Sequence, residues 1–137
     1  MVPGAIEIHS AILRAMIEHA RREPRLECCG LLAGRGYQIT HAYPAENVAA
    51  NPATSYEVST KEIVNLTRQI RENGLELLGI YHSHPNENEE PSETDIAAVG
   101  YPDVAYFIIS HIADEHPQVR AFSIRDGQIS ELNLHAP

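Results

Sequence analysis

The chain has 137 residues, 43% of them hydrophobic and 21% charged, which is the size and composition of one domain with one core rather than a fibrous or disordered chain. A net charge of −9, with one lysine and nine scattered arginines, argues against work on nucleic acid, where clustered cations are needed to hold phosphates. No run approaches the about 20 apolar residues of a membrane span, and Glu7, His9 and Arg14 interrupt the apolar stretch a signal peptide would need, so a cytoplasmic protein with no membrane partner is expected.

Residues 10–22 place Ile12, Leu13, Met16, Ile17 and Ala20 on one helical face, with Ser10 as the expected N-cap and Pro24 as the stop. Residues 28–34 predict a buried strand. Its Cys28 and Cys29 are adjacent, exclude a disulfide scaffold, and are expected as small apolar residues rather than reactive thiols. That strand meets another over 37–43 through Gly34-Arg35-Gly36, the glycine chemistry of a hairpin turn. A loop over 44–56 leads to Ser59 and Glu62, spaced as a capping box, and a second helix ending at Gly74.

Residues 75–83 are apolar on both faces, which predicts a central strand carrying His82 and His84 at its C-terminal end. The polar run that follows is expected as a loop, with Glu87, Glu89, Glu90 and Glu93 facing solvent. Pro91-Ser92 opens a short helix through Val99, 104–110 is a buried strand, and 119–125 pairs with 128–134 around Asp126-Gly127. The order helix, strand, strand, helix, strand, helix and three strands predicts a single α+β domain over 1–137, a mixed central β-sheet flanked by helices.

Chemistry concentrates in residues 82–95. Residues two apart on a strand share a face, so His82 and His84 can converge on one ion while Ser83 points away. Asp95, one turn into the helix opened at Ser92, can return a carboxylate to the same strand end. Two imidazoles and a carboxylate suit Zn²⁺ and leave a fourth tetrahedral position for water, the hallmark of a catalytic site. The bland readings are a chance pair among eight histidines and, for Ser92 with Asp95, a purely structural capping box.

His82-Ser83-His84, seven residues, then Ser92-Glu93-Thr94-Asp95 resembles the signature of the JAMM (MPN+) metallopeptidases. Glu27-Cys28-Cys29-Gly30-Leu31-Leu32-Ala33-Gly34 resembles the upstream glutamate context of the same family. The likeness runs from about Ile6 to about Arg125, and no catalytic position of the pattern is missing. It implies a JAMM/MPN-like, deaminase-like topology and one Zn²⁺ with a bound water, held by His82, His84 and Asp95. By the same resemblance Glu27 is the acid/base, a role its residue type alone would not suggest, and Ser92 is the hydrogen-bond donor to the oxyanion.

The resemblance further implies hydrolysis of the amide bond after the C-terminal glycine of a ubiquitin-like or sulfur-carrier protein with a Gly-Gly tail, releasing cysteine or a short extension. The chain has no room for the long insertions of deubiquitinating members, so compact prokaryotic members are the nearer likeness; a deubiquitinase-like isopeptidase is the first alternative. From other classes stand a two-histidine, one-carboxylate iron oxygenase and a non-catalytic, zinc-stabilised interaction module, which would need His111 or His116 as a fourth ligand. The oligomeric state stays open, a homodimer included.

Overall fold

The computed structural model describes residues 4–137. In chain order the elements are β1 (Ala5–Ile8), α1 (Ser10–Arg22), β2 (Cys29–Arg35), β3 (Gln38–Ala45), α2 (Thr60–Glu72), β4 (Glu76–Ser83), α3 (Glu93–Ala97), β5 (Ala105–Ser110), β6 (Gln118–Arg125) and β7 (Gln128–His135). The strands form one mixed sheet in the order β1-β3-β2-β4-β5-β6-β7. It closes on itself because β1 pairs parallel with both β3 and β7.

The α+β class and mixed sheet match the sequence reading, but β1 was not expected. It is only four residues long, and its evidence in sequence is a single alternation, buried Ile6 and Ile8 around Glu7. What makes it a strand lies far along the chain, in the pairing of Glu7 and Ile8 with Gln38 and Ile39 and of Ala5 to Glu7 with Asn133 to His135.

β4 is central, antiparallel to β2 and parallel to β5. Its alternation feeds two cores: Tyr81 joins Met16, Ala20, Phe107 and Ile109 against α1, and Ile80 joins Leu66, Ile70, Ile108 and Phe122 against α2. Cys28 and Cys29 divide between these cores in the same way, and burial pushes their thiols up to about 11 and about 12, as inert apolar residues should behave. Gly30 lies opposite Tyr81, and a Cβ there would collide with its ring; the missing side chain lets the Tyr81 hydroxyl reach His19 Nδ1 at 2.7 Å on α1.

Several local expectations change. α1 begins at Ser10, so its N-cap is His9, which makes no side-chain cap bond. Ser59 does cap α2, accepting the Glu62 N–H at 3.2 Å, but Glu62 does not reciprocate, because its Oε1 accepts the Glu46 N–H at 2.8 Å. The first hairpin turns one residue later than the glycines suggest: β2 continues through Arg35, and only Gly36 has positive φ (62°). The second hairpin turns at Asp126 and Gly127 as expected, both left-handed. α3 ends at Ala97 rather than Val99.

Candidate metal centre

The strand period puts His82 and His84 on one face, and the ladder continues past the end of β4, where the His84 N–H donates to the Ile109 carbonyl at 2.9 Å. Asp95 returns to them from α3. His82 Nε2 and His84 Nε2 lie 3.0 Å apart, and each is 3.0 Å from Asp95 Oδ2. All three side chains are buried. Asp95 Oδ2 also accepts the Ser92 N–H at 2.9 Å while Ser92 Oγ accepts the Asp95 N–H at 3.0 Å. The capping box is therefore real, and its carboxylate is the one that faces the histidines.

Glu27 precedes β2 and is 4% exposed, against the solvated strand edge its residue type suggests. Its backbone is held from both sides: its N–H donates to the Pro52 carbonyl at 2.8 Å, and its own carbonyl accepts from Asn47 Nδ2 at 2.9 Å. Next to it, Ser83 Oγ accepts the Cys28 N–H at 2.9 Å, so the residue that points away from the histidines ties β2 to β4 beside Glu27. A carboxylate oxygen of Glu27 lies with His82, His84 and Asp95 in a group whose donor atoms are all within 4.8 Å of one another, and Glu27 Oε1 has no hydrogen-bond partner.

Burial pushes the Glu27 carboxyl up to about 7, with His84 pulling it down and the Asp95 charge pushing it further up. Burial acts on Asp95 in the same sense, but its hydrogen bonds with His82 and His84 outweigh burial and hold it well below the usual carboxylate range. His82 is held low by burial against the pull of Asp95. For His84 the hydrogen bonds to Asp95 and to a backbone carbonyl outweigh burial and raise it. That carbonyl belongs to Asn88, 2.8 Å from His84 Nδ1. A carbonyl only accepts, so Nδ1 carries a hydrogen and the lone pair of the neutral ring sits on Nε2, facing the site.

The donor set fits a divalent ion. Tetrahedral bonds of 2.0 to 2.1 Å imply donor-to-donor edges of about 3.3 Å, close to the 3.0 Å triangle. Two imidazole lone pairs this close repel each other, and one proton cannot serve all three contacts; a cation serves each of them. Neither histidine considered as a fourth ligand is there: His111 pairs with Glu89 at 2.9 Å, and His116 is exposed. The acidic loop is also not simply solvated, since Glu87 and Glu89 both face His111.

Tyr56 was not anticipated. It stands at the end of what sequence shows only as a loop, and its ring stacks on His82 with centroids 4.4 Å apart and planes 22° from parallel. His82 Nδ1 has no hydrogen-bond partner, so this stack orients the ring. Tyr56 also borders a cavity of about 300 Å³ lined with Leu31, Val58, Ile63, Ile80, Tyr101 and Tyr106.

Comparison with known proteins places these features in a family. The family described as prokaryotic homologs of the JAB domain matches residues 9–125. A desampylase from Haloferax volcanii is 37% identical over 108 residues, 77% of this chain and 78% of that protein. A CysO-cysteine peptidase from Mycobacterium tuberculosis is 31% identical over 126 residues, 90% of this chain and 86% of that protein. Among solved structures, a protein from Desulfitobacterium hafniense superposes with a TM-score of 0.86 at 29% identity, covering 96% of this chain and 92% of that one.

Proposed function

The chain belongs to the prokaryotic JAB-domain family, a compact branch of the JAMM proteins, and from that premise we propose that it is a zinc-dependent peptidase. Its reaction is hydrolysis of the amide bond after the C-terminal glycine of a ubiquitin-like or sulfur-carrier protein. The observation that carries the reading is the buried Glu27 carboxylate, unpartnered at Oε1, beside a three-donor cradle of two imidazoles and one carboxylate. A closed structural site has no use for such a group.

His82, His84 and Asp95 hold the ion. When bound, zinc supplies Lewis acidity and brings the pKa of a coordinated water from that of bulk water toward ~7. Glu27 accepts a proton from the attacking water and returns it to the departing amine, and burial, which lifts its carboxyl into the neutral range, suits it to work in both directions. Ser92 Oγ accepts the Asp95 N–H and keeps its own hydrogen, which it donates to the carbonyl oxygen as that oxygen gains charge.

A glycine-ended tail reaches such a site extended. The apolar cavity beside Tyr56 takes a side chain from the residues preceding the glycines. The relatives named desampylase and CysO-cysteine peptidase support a small protein as the substrate class.

The test is incubation with a sulfur-carrier protein whose Gly-Gly end carries one added cysteine, followed by mass spectrometry. Release of cysteine by the wild-type chain, and none by the E27Q variant, supports the proposal. Failure to cleave Gly-Gly-extended carriers and ubiquitin-like fusions alike would overturn it.

A further inference from the structure

The segment between β4 and α3 has no helix or strand, yet it supplies the carbonyl that fixes the His84 ring. Asn88 accepts from His84 Nδ1 at 2.8 Å, and the next residue, Glu89, has both carboxylate oxygens engaged from the sheet. Its Oε2 lies 2.9 Å from His111 Nε2, just past the end of β5, and its Oε1 lies 3.6 Å from Arg120 Nη1 on β6. Arg120 is itself braced on β7, with Nη2 and Nε donating to the two carboxylate oxygens of Glu131.

Two further observations single out this contact. Glu87 (φ 66°) and His111 (φ 54°), both in the left-handed region that costs a side-chain-bearing residue energy, face each other across it, with His111 Nδ1 3.9 Å from Glu87 Oε2. His111 Nδ1 is also 3.5 Å from Asp114. The other imidazole, His82, has no partner at Nδ1, so the Asn88 carbonyl is the one hydrogen-bonded tether on either ring's distal nitrogen among the described residues.

We propose that Glu89, gripped by His111 and Arg120, is a positioning residue that holds the Asn88 carbonyl against His84 and so keeps Nε2 aimed at the metal. Exposed ion pairs contribute little stability one at a time. The function here is orientation, because the outer partner of a metal-bound histidine sets its tautomer and ring plane. The inference rests on the reading of the site as a metal centre.

The experiment measures zinc affinity by chelator competition and the visible spectrum of the cobalt-substituted protein, for wild type, E89A, E89Q and E90A. E90A removes one negative charge from the neighbouring residue, so it controls for the general loss of acidity around the ion. Losing a direct outer partner costs about 10- to 100-fold in affinity, and this clamp acts one step further out, so E89A weakens zinc by about 3- to 10-fold and shifts the cobalt bands. E89Q keeps an oxygen for His111 and recovers part of both; E90A stays within about twofold of wild type.

Wild-type affinity and an unshifted cobalt spectrum in E89A, or equal losses in E89A and E90A, would overturn the clamp while leaving the metal centre in place. A wild-type chain that takes up no zinc would overturn the metal-centre reading, and the clamp with it.

Discussion

Ser92 and Asp95 hold each other by paired hydrogen bonds, Ser92 Oγ accepting the Asp95 N–H at 3.0 Å and Asp95 Oδ2 accepting the Ser92 N–H at 2.9 Å, and that same Oδ2 faces both histidines. The cap and the candidate ligand are one device: closing the helix start aims the carboxylate. Two substitutions separate the roles. Replacing an N-cap serine by alanine costs about 1 kcal/mol, and by glycine only a few tenths. S92A and S92G are both expected to lose about 10²- to 10³-fold in kcat, as when an oxyanion donor is deleted, while S92A lowers the stability of the metal-free protein by more than S92G does. Chemical denaturation beside a cleavage assay checks this; S92G with wild-type turnover would remove the hydroxyl from the reaction.

The proposed acid/base role of Glu27 carries a stability cost. Its carboxyl is raised from 4.5 to about 7 in the folded chain, mainly by burial. Between those values the folded state binds the proton more tightly than the unfolded state, so this group's stabilising contribution is complete below pH 4.5 and lost as pH rises through 7. A shift of about 2.5 pH units corresponds to about 3 kcal/mol as an upper figure. Without metal, E27Q is expected to lack this loss and to be more stable than wild type at pH 8; supplied with zinc, it is expected to bind the ion and to show no turnover. Melting curves from pH 4 to 8 test it, and parallel curves for the two proteins would contradict it.

Metal uptake is expected to be coupled to protons. His84 is raised above its ordinary value by Asp95 and the Asn88 carbonyl, Asp95 stays ionised, and His82 is held low by burial. A protonated imidazole cannot bind metal, so zinc uptake below the His84 pKa releases a proton, and affinity falls by about tenfold per pH unit as pH drops there. Calorimetry in buffers of differing ionisation enthalpy counts the proton. Affinity flat from pH 5 to 8 would rule out His84 as the group that must give up its proton.

Tyr56 holds His82 by stacking rather than by a hydrogen bond. An aromatic pair contributes about 0.5 to 1.5 kcal/mol. Y56A is therefore expected to weaken zinc by about 2- to 10-fold, and Y56F, which keeps the ring, to match wild type in competition titrations. A Y56F loss as large as that of Y56A would assign the role to the hydroxyl instead.

What the sequence makes legible is what local geometry decides. His82 and His84 share a face because strands alternate, and Ser92-x-x-Asp95 closes a helix start whatever surrounds it, so both pairs can be placed before any coordinates exist. Glu27 has no such local mark. A glutamate before an apolar strand is ordinary, and only its likeness to a family pattern singled it out; its backbone is held by Pro52 and Asn47, and the neighbouring Cys28 by Ser83, none of which sequence connects to it. β1, the Tyr56 stack and the Glu89 contacts fail for the same reason, each depending on partners brought together by sheet closure or loop return. The missed reciprocal cap at Ser59 shows the converse: the motif is present, but Glu46 competes for the Glu62 carboxylate.

In the proposed centre one ion is held by three side chains, His82, His84 and Asp95, and attended by a fourth, Glu27. Diffraction from crystals grown with zinc, collected on both sides of the zinc absorption edge, tests it most directly. A single anomalous peak is expected about 2.0 to 2.2 Å from His82 Nε2, His84 Nε2 and an Asp95 carboxylate oxygen, with Glu27 outside bonding distance of the metal. A peak elsewhere, or one with the Glu27 carboxylate bonded as a fourth protein ligand, would contradict it.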